Sequence, residues 1–344
     1  MITALDAETF FRESRSYATL DVRSEGEYKY GHIPHALNLP LFNNEERAKV
    51  GTLYKQQGSK EAILLGLDLV GPKMSGFIRF VADKVKDNKL FVHCWRGGMR
   101  SGSMAWLFNQ FGYDVYTLKG GYKAYRHMVL NTISAPCKYI VIGGKTGSGK
   151  TEVLQQLKQL GEQVIDLEAL ANHKGSAFGM LGQPAQPSTE HFENLLYEEL
   201  IQLDRNRRIW IEDESKKIGT VVLDNNLWQQ KNRAALMVLE IPLQARIDRL
   251  VNDYSANHHQ GLEQSITNIK KRLGNLQWKM AIDALHAKDY KQVAEIALYY
   301  YDKTYEYGLT QKKEGAIYRM PFDENSSTTD IAEALLAQAS KGLQ

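Results

Sequence analysis

Two stretches of the chain combine residue types and spacing that could do chemistry. The first is Cys94-Trp95-Arg96-Gly97-Gly98-Met99-Arg100-Ser101. The thiol follows an apolar run and precedes a helix-compatible one, and the glycines let the intervening backbone curl so that its amides face the sulfur. Amides at a helix start, together with Arg96 and Arg100, favour an anion, so the loop is expected to lower the thiol pKa and supply a thiolate near neutral pH. Cys137 is the contrast: it sits beside Pro136 with no glycine loop or arginine pair and reads as structural. With only these 2 cysteines the chain has neither a disulfide framework nor a four-cysteine zinc site.

The second stretch runs from Ile140-Val141-Ile142 through Gly143-Gly144-Lys145-Thr146-Gly147-Ser148-Gly149-Lys150-Thr151, a G-x-x-x-x-G-K-T phosphate loop opening at Gly144. The amides around Gly147, Ser148 and Gly149 can cradle a diphosphate, Lys150 can neutralise its terminal charge, and Thr151 can hold a magnesium ion. Glu212-Asp213-Glu214 follow the apolar Ile209-Trp210-Ile211. A phosphate-loop protein places its metal-linked carboxylate at such a strand end, and Asp213 is the choice here, although a solvated acidic turn fits equally. Whether the loop grips ATP, GTP or the diphosphate of another donor is left open by the residues. No tightly bound cofactor and no certain metal site is expected.

These loops need elements to position them. Residues 17–23 and 89–93 read as short buried strands, and residues 100–111 place Met104, Leu107, Phe108 and Phe111 at helical spacing before Gly112, with a further strand over 113–118. Pro136 marks a boundary, after which strand 138–142, helix 152–160, strand 163–166, helix 190–205, strand 208–212 and strand 235–241 alternate again. From Leu243 onward the chain reads as mostly helical, with Ser326-Ser327-Thr328-Thr329 as a helix-entry loop. Strands alternating with helices imply parallel sheets. The expected fold is therefore α/β in two domains, residues 1–135 carrying Cys94 and residues 136–344 carrying the phosphate loop and a helical tail.

The length of 344 residues suits two domains. A hydrophobic share of 43%, a charged share of 24% and a mean hydropathy of -0.41 describe a folded, water-soluble chain and exclude disordered and collagen-like classes. No apolar run reaches the roughly 18 residues of a membrane helix, and Asp6, Glu8 and Glu13 stand where a signal peptide would be basic and then apolar. The expectation is a cytoplasmic protein with no membrane partner. A net charge of +3 neither demands nor forbids an anionic partner. Local clusters do more: Arg205, Arg207 and Arg208, then Arg246 and Arg249, then Lys270, Lys271 and Arg272, with Tyr299, Tyr300, Tyr301, Tyr305 and Tyr307, offer charge and stacking surface for RNA, while solvated helix faces and core tyrosines are the bland alternative. His258 and His259 have no ligand-spaced partners and read as surface residues.

Leu20-Asp21-Val22-Arg23-Ser24, Glu27-Tyr28, Gly31-His32-Ile33-Pro34, the cysteine loop and Leu118-Lys119-Gly120-Gly121 together resemble a rhodanese domain. That resemblance implies that Cys94 carries sulfur or selenium as a persulfide or perselenide. Asp21 and Arg23 could orient the loop or form a plain structural salt bridge. His35 stands where rhodaneses often have glycine. The loop is also one residue longer than in many sulfurtransferases, so Cys94 and Arg100 show the Cys-x5-Arg spacing of phosphatases that attack tetrahedral phosphorus. A phosphatase or sulfurtransferase fused to a P-loop NTPase is therefore the alternative.

A rhodanese-like domain followed by a P-loop domain, with Asn38-Leu39-Pro40-Leu41-Phe42, Val50-Gly51-Thr52-Leu53-Tyr54-Lys55 and Leu69-Val70-Gly71-Pro72-Lys73 besides, resembles the tRNA 2-selenouridine synthase family along essentially the whole chain. The resemblance implies a transferase that replaces the sulfur of wobble 2-thiouridine in tRNA by selenium, with selenophosphate as donor, through an S-geranyl intermediate made from geranyl diphosphate. On that basis Cys94 and Arg100 are the expected catalytic pair, and Arg96, Gly97, Gly98 and Ser101 the selenophosphate loop. Gly144, Gly147, Ser148, Gly149, Lys150 and Thr151 would hold the diphosphate, Mg2+ could accompany it, and a selenophosphate-supplying enzyme is a candidate partner.

Overall fold

β-branched and aromatic residues concentrate in short runs, and those runs build two parallel sheets. The computed structural model describes residues 1–176, 178–254, 259–311 and 314–342. The chain divides into two units, Met1–Thr132 with Glu193–Glu198, and Ile133–Phe192 with Glu199–Gln344. Both units are α/β, as the alternation of strand and helix patterns demands.

In the first unit the strands β1 (Ile2–Leu5), β2 (Ala18–Asp21), β3 (Leu37–Asn38), β4 (Lys89–His93) and β5 (Asp114–Leu118) form one sheet in the order β1-β5-β4-β2-β3. Every pairing is parallel. β4 lies at the centre, and Leu90, Phe91 and Val92 are fully enclosed because helices cover both faces. Phe91 stacks on Tyr116 at 4.9 Å and meets Phe10 edge-on at 5.2 Å. Helix Met99–Gln110 packs Met104, Ala105 and Phe108 onto the core of Leu90, Val92 and Val115. The central strand thus delivers Cys94 to the carboxyl edge of the sheet, where parallel α/β folds place their sites.

Asp21 and Arg23 form a fully buried ion pair at 2.6 Å. Arg23 also donates to the Gly31 carbonyl and lies 3.7 Å over the Tyr122 ring, so its place is in the framework beneath the cysteine loop. His35 adopts φ 66°, the left-handed turn conformation that glycine takes most easily. Strands β1 and β3 and the helix pair Asn44–Gln57 and Ser59–Val70 were not read from the sequence.

In the second unit β6 (Lys138–Gly144), β7 (Gln163–Ile165), β8 (Arg208–Glu212), β9 (Lys217–Ile218), β10 (Val221–Val222), β11 (Ala235–Glu240) and β12 (Ile317–Pro321) include a five-stranded parallel sheet ordered β12-β11-β6-β8-β7. β9 and β10 make a separate antiparallel pair. Helix Lys150–Gln159 buries Val153, Leu154 and Leu157 against Ile140, Ile142 and Trp210, which fixes the phosphate loop between β6 and that helix.

One sequence expectation needs correcting here. Helix 190–205 ends at Leu200; beyond it the Gln163 carboxamide donates to the Asp204 carbonyl and accepts from the Asp204 amide, which pins a turn there. Among the described residues the tail is mostly helical, with Ile317–Pro321 as strand β12, paired with β11. Ser327 caps helix Thr328–Ser340 with a capping box to Asp330, the helix entry that the serine-threonine run suggests.

Candidate active sites

Cys94 is 3% exposed, with its Sγ 3.2 Å from Ser101 Oγ. Burial works against the thiolate, but the Ser101 hydroxyl and amide, the Arg100 charge and the Gly98 amide outweigh it and hold the thiol below its ordinary value. The loop shape comes from left-handed glycines. Gly97 has φ 65° and Gly121 φ 60°, and a Cβ built on Gly121 would lie 2.4 Å from the Cys94 carbonyl and 2.4 Å from the Gly97 nitrogen. Tyr122 N donates to the Cys94 carbonyl at 2.8 Å, so the turn before helix Gly121–Ser134 braces the loop.

Arg100 Nη1 donates to Glu27 Oε2 at 2.8 Å, and Arg47 reaches the same oxygen at 3.1 Å. Of the two loop arginines, Arg100 is the one whose charge acts on the sulfur, whereas Arg96 is exposed. Glu27 had no functional reading in the sequence beyond its place in the rhodanese-like motif. Its signal was indirect: an acidic residue in a helix whose capping box already required a carboxylate.

The phosphate loop lines a polar cavity of about 590 Å³ together with Glu168, Asp213, Glu214, Arg249 and Tyr305. Gly147 and Gly149 have φ 78° and 79°, turning the loop so that its amides can point at a ligand. Lys150 Nζ donates to the Gly144 carbonyl at 3.2 Å, across the concavity. Ser148 Oγ is buried and finds no hydrogen-bond partner among the described residues, which suits a loop built to receive an acceptor. Thr151 Oγ1 donates to Glu168 Oε2 at 3.1 Å.

The acidic triplet, from which the sequence reading chose Asp213, separates by burial. Glu212 is wholly buried and accepts from the Glu168 amide at 3.0 Å, with burial and the nearby Glu168 raising its pKa well above the usual range. Asp213 and Glu214 face the cavity, and the Tyr305 hydroxyl lies 3.4 Å from Asp213 Oδ2. Glu168 was missed. Burial and the neighbouring Glu214 push its carboxyl up to about 8, against Lys150 and Thr151. The clue was available, since Asp166-Leu167-Glu168 directly follow β7 at the same sheet edge.

Several residues of the basic clusters also have partners within the fold. Arg208 pairs with Glu162 at 2.6 Å, Arg207 donates to the Gly161 carbonyl, and Arg205 to the Ala135 carbonyl. Arg246 pairs with Asp302 at 2.7 Å. Arg249 donates to the Gly147 carbonyl at 2.7 Å and belongs to the phosphate cavity. Lys270 lies over the Trp278 ring at 3.6 Å, and Tyr299 and Tyr307 are exposed. His258 and the side chain of His259 lie outside the described residues.

A central strand that ends in an activated cysteine, and a second parallel sheet that ends in a phosphate loop, define a two-domain protein of a rhodanese-like domain joined to a P-loop domain. Family models agree: the rhodanese-like domain matches residues 11–128, and the tRNA 2-selenouridine synthase AAA domain matches residues 137–335. The chain belongs to the tRNA 2-selenouridine synthase family. It is 36% identical over 337 residues to the tRNA 2-selenouridine synthase of Shewanella frigidimarina (strain NCIMB 400), covering 87% of this chain and 90% of that protein. The proteins of the same name from Sulfurovum sp. (strain NBC37-1) and Psychromonas ingrahamii (strain DSM 17664 / CCUG 51855 / 37) are 35% and 33% identical, across 87% and 89% of this chain and 91% of each relative. Among the described residues no helix is long and apolar enough to cross a membrane.

Proposed function

We propose that this protein converts 2-thiouridine at the tRNA wobble position to 2-selenouridine through an S-geranyl intermediate, using geranyl diphosphate and then selenophosphate. The observation that carries the reading is the Cys94 thiol held low by Ser101, Arg100 and the Gly98 amide, beside a loop able to bind an anion. Family membership and the names of the relatives support tRNA as the substrate.

The order of steps follows from leaving-group chemistry. Sulfur at C2 leaves poorly until it is alkylated, after which C2 is electrophilic and geranyl thiol can depart. The phosphate loop holds the diphosphate of the geranyl donor through its amides and Lys150, and departure of that diphosphate lets the base sulfur take the geranyl carbon. Thr151 and Asp213 offer the hard oxygen ligands that Mg2+ prefers, and the ion would neutralise charge developing on the departing diphosphate. Among the described residues no group of three His, Cys, Asp or Glu side chains is arranged to hold a metal.

In the second step the Cys94 loop takes up selenophosphate, with loop amides and Arg100 on its phosphate, and the Cys94 thiolate attacks phosphorus and displaces selenide, which goes on to C2. The Se–C2 bond forms, the C2–S bond breaks with its electron pair on geranyl thiol, and water finally takes the phosphoryl group as phosphate. Selenium enters and leaves as selenide, so no outside reductant is required. Mass spectrometry of nucleosides from tRNA incubated with protein, geranyl diphosphate and selenophosphate tests the scheme. Geranylated and then selenated wobble uridine is the expected sequence. Phosphate released from a simple phosphoester with no RNA present, and no selenated nucleoside, would point to a phosphatase instead.

A further inference from the structure

The rhodanese-like unit holds a second concavity of about 980 Å³ that the reaction scheme above does not use. Its walls are helix Ser59–Val70, helix Asn44–Gln57 and the outer face of helix Met99–Gln110. Helix Ser59–Val70 is largely apolar yet buries only Ala62 and Gly66, and helix Asn44–Gln57 buries none of its residues. Tyr54, Leu67, Met99 and Trp106 line the cavity and stand 60%, 64%, 64% and 53% exposed. Apolar side chains gathered around an open concavity are the mark of a binding site.

The cavity borders the cysteine loop at Met99 and Arg100. Arg100 lines it and also lowers the Cys94 thiol pKa, and Arg47, which shares Glu27 with Arg100, stands on the same wall. Met99 and Met104 carry the apolar lining along the helix that begins at the loop. A ligand that fits has an apolar tail joined to a group that reacts beside the Cys94 loop. Gly66 lets its helix pack close to the Phe42 ring, where even a methyl group would come within 3.3 Å.

We propose that this cavity binds the geranyl chain of S-geranyl-2-thiouridine while C2 of the base is presented to the Cys94 loop, and that it then receives the departing geranyl thiol. The assignment rests on the geranyl intermediate proposed above. It gives the prenyl group a second role: besides making sulfur a leaving group, it supplies remote binding energy that is used to hold C2 in the reacting position. An S-methyl group would activate the sulfur equally and lack that anchor.

The full-length protein and anticodon stem-loops bearing S-geranyl, S-dimethylallyl or S-methyl-2-thiouridine, or plain 2-thiouridine, provide the test, with selenophosphate as donor and selenated nucleoside as readout. Shortening geranyl to dimethylallyl is expected to lower kcat/KM about a hundredfold. Leu67→Gln and Trp106→Gln, both at exposed positions outside the Cys94 loop, should each cut kcat/KM for the geranyl substrate about tenfold and leave the slower S-methyl reaction unchanged. Equal kcat/KM for geranyl and methyl substrates overturns the cavity assignment while the geranyl route stands. Plain 2-thiouridine selenated as fast as its geranylated form removes the geranyl route and the cavity's role with it. Variants that shift the sedimentation of the protein but keep wild-type chain-length discrimination would show that a second copy covers this face, and would also overturn the proposal. Should a variant fail to fold, the chain-length series on the unaltered protein decides.

Discussion

Arg100 donates to Glu27 across 2.8 Å while its charge also acts on the Cys94 sulfur, so one guanidinium serves a fixed carboxylate and a nascent thiolate together. Burial opposes ionisation of Glu27, yet Arg100, the Ser24 amide and Arg47 hold its pKa below the ordinary value, and the carboxylate is charged at any working pH. The shared arginine is thereby kept in place before any substrate arrives.

Removing that carboxylate should act in two opposite ways. In Glu27→Gln, Arg100 has less competing negative charge, so the Cys94 thiol should titrate lower than in the parent protein. The side chain also loses its anchor, and KM for selenophosphate should rise about tenfold with kcat changing less. Thiol titration by ultraviolet absorbance and steady-state selenation separate the two effects; a simple loss of structure would move kcat and KM together and leave no shifted titration.

Replacement of Cys94 by Ala should stop selenation and leave geranylated tRNA to accumulate. Continued selenation refutes the role of the sulfur. In the parent protein the rate of thiol alkylation should follow a titration whose midpoint lies below that of free cysteine, because the thiolate is favoured in the fold.

Lys150→Ala should lower geranylation by about a hundredfold or more and spare the selenation of RNA that is already geranylated. Thr151→Ala should raise the magnesium concentration needed for half-maximal geranylation. Unaltered geranylation in both variants removes the phosphate loop from the first step.

His93 links the fold of the first unit to pH. Complete burial drives its pKa down to about 4, although Asp21 pulls the other way. Because the folded value lies below the unfolded value of about 6.5, the neutral ring favours the folded state above that pH. That contribution, on the order of 3 kcal/mol, is lost progressively as pH falls from about 6.5 towards 4. Hydrogen exchange of the β4 amides, which reports on this unit, should accelerate on acidification through that window, and His93→Phe should flatten the dependence.

The two loops were legible because each is written contiguously: a cysteine or a lysine, its glycines, and an apolar strand just before. Lys89–His93, which carries the cysteine loop, and Arg208–Glu212, which carries the acidic triplet, were readable to the residue since both are enclosed and uninterrupted. β12 was not, because an edge strand that alternates exposed and half-buried residues, Ile317–Pro321, carries too little apolar signal between two helices. Glu168, Glu27 and Arg249 escaped for a different reason. Each joins its site from a distant element, and only the fold makes such residues neighbours. The same distance explains why the partners of Arg208 and Arg246, Glu162 and Asp302, could not be read from the sequence.

Gly97 and Gly121 approach so closely that neither position has room for a single additional carbon. The loop around the sulfur is consequently moulded by two distant stretches of chain pressed against each other. An incoming tetrahedral anion would find its seat already shaped, and little ordering of the loop would be charged against its affinity.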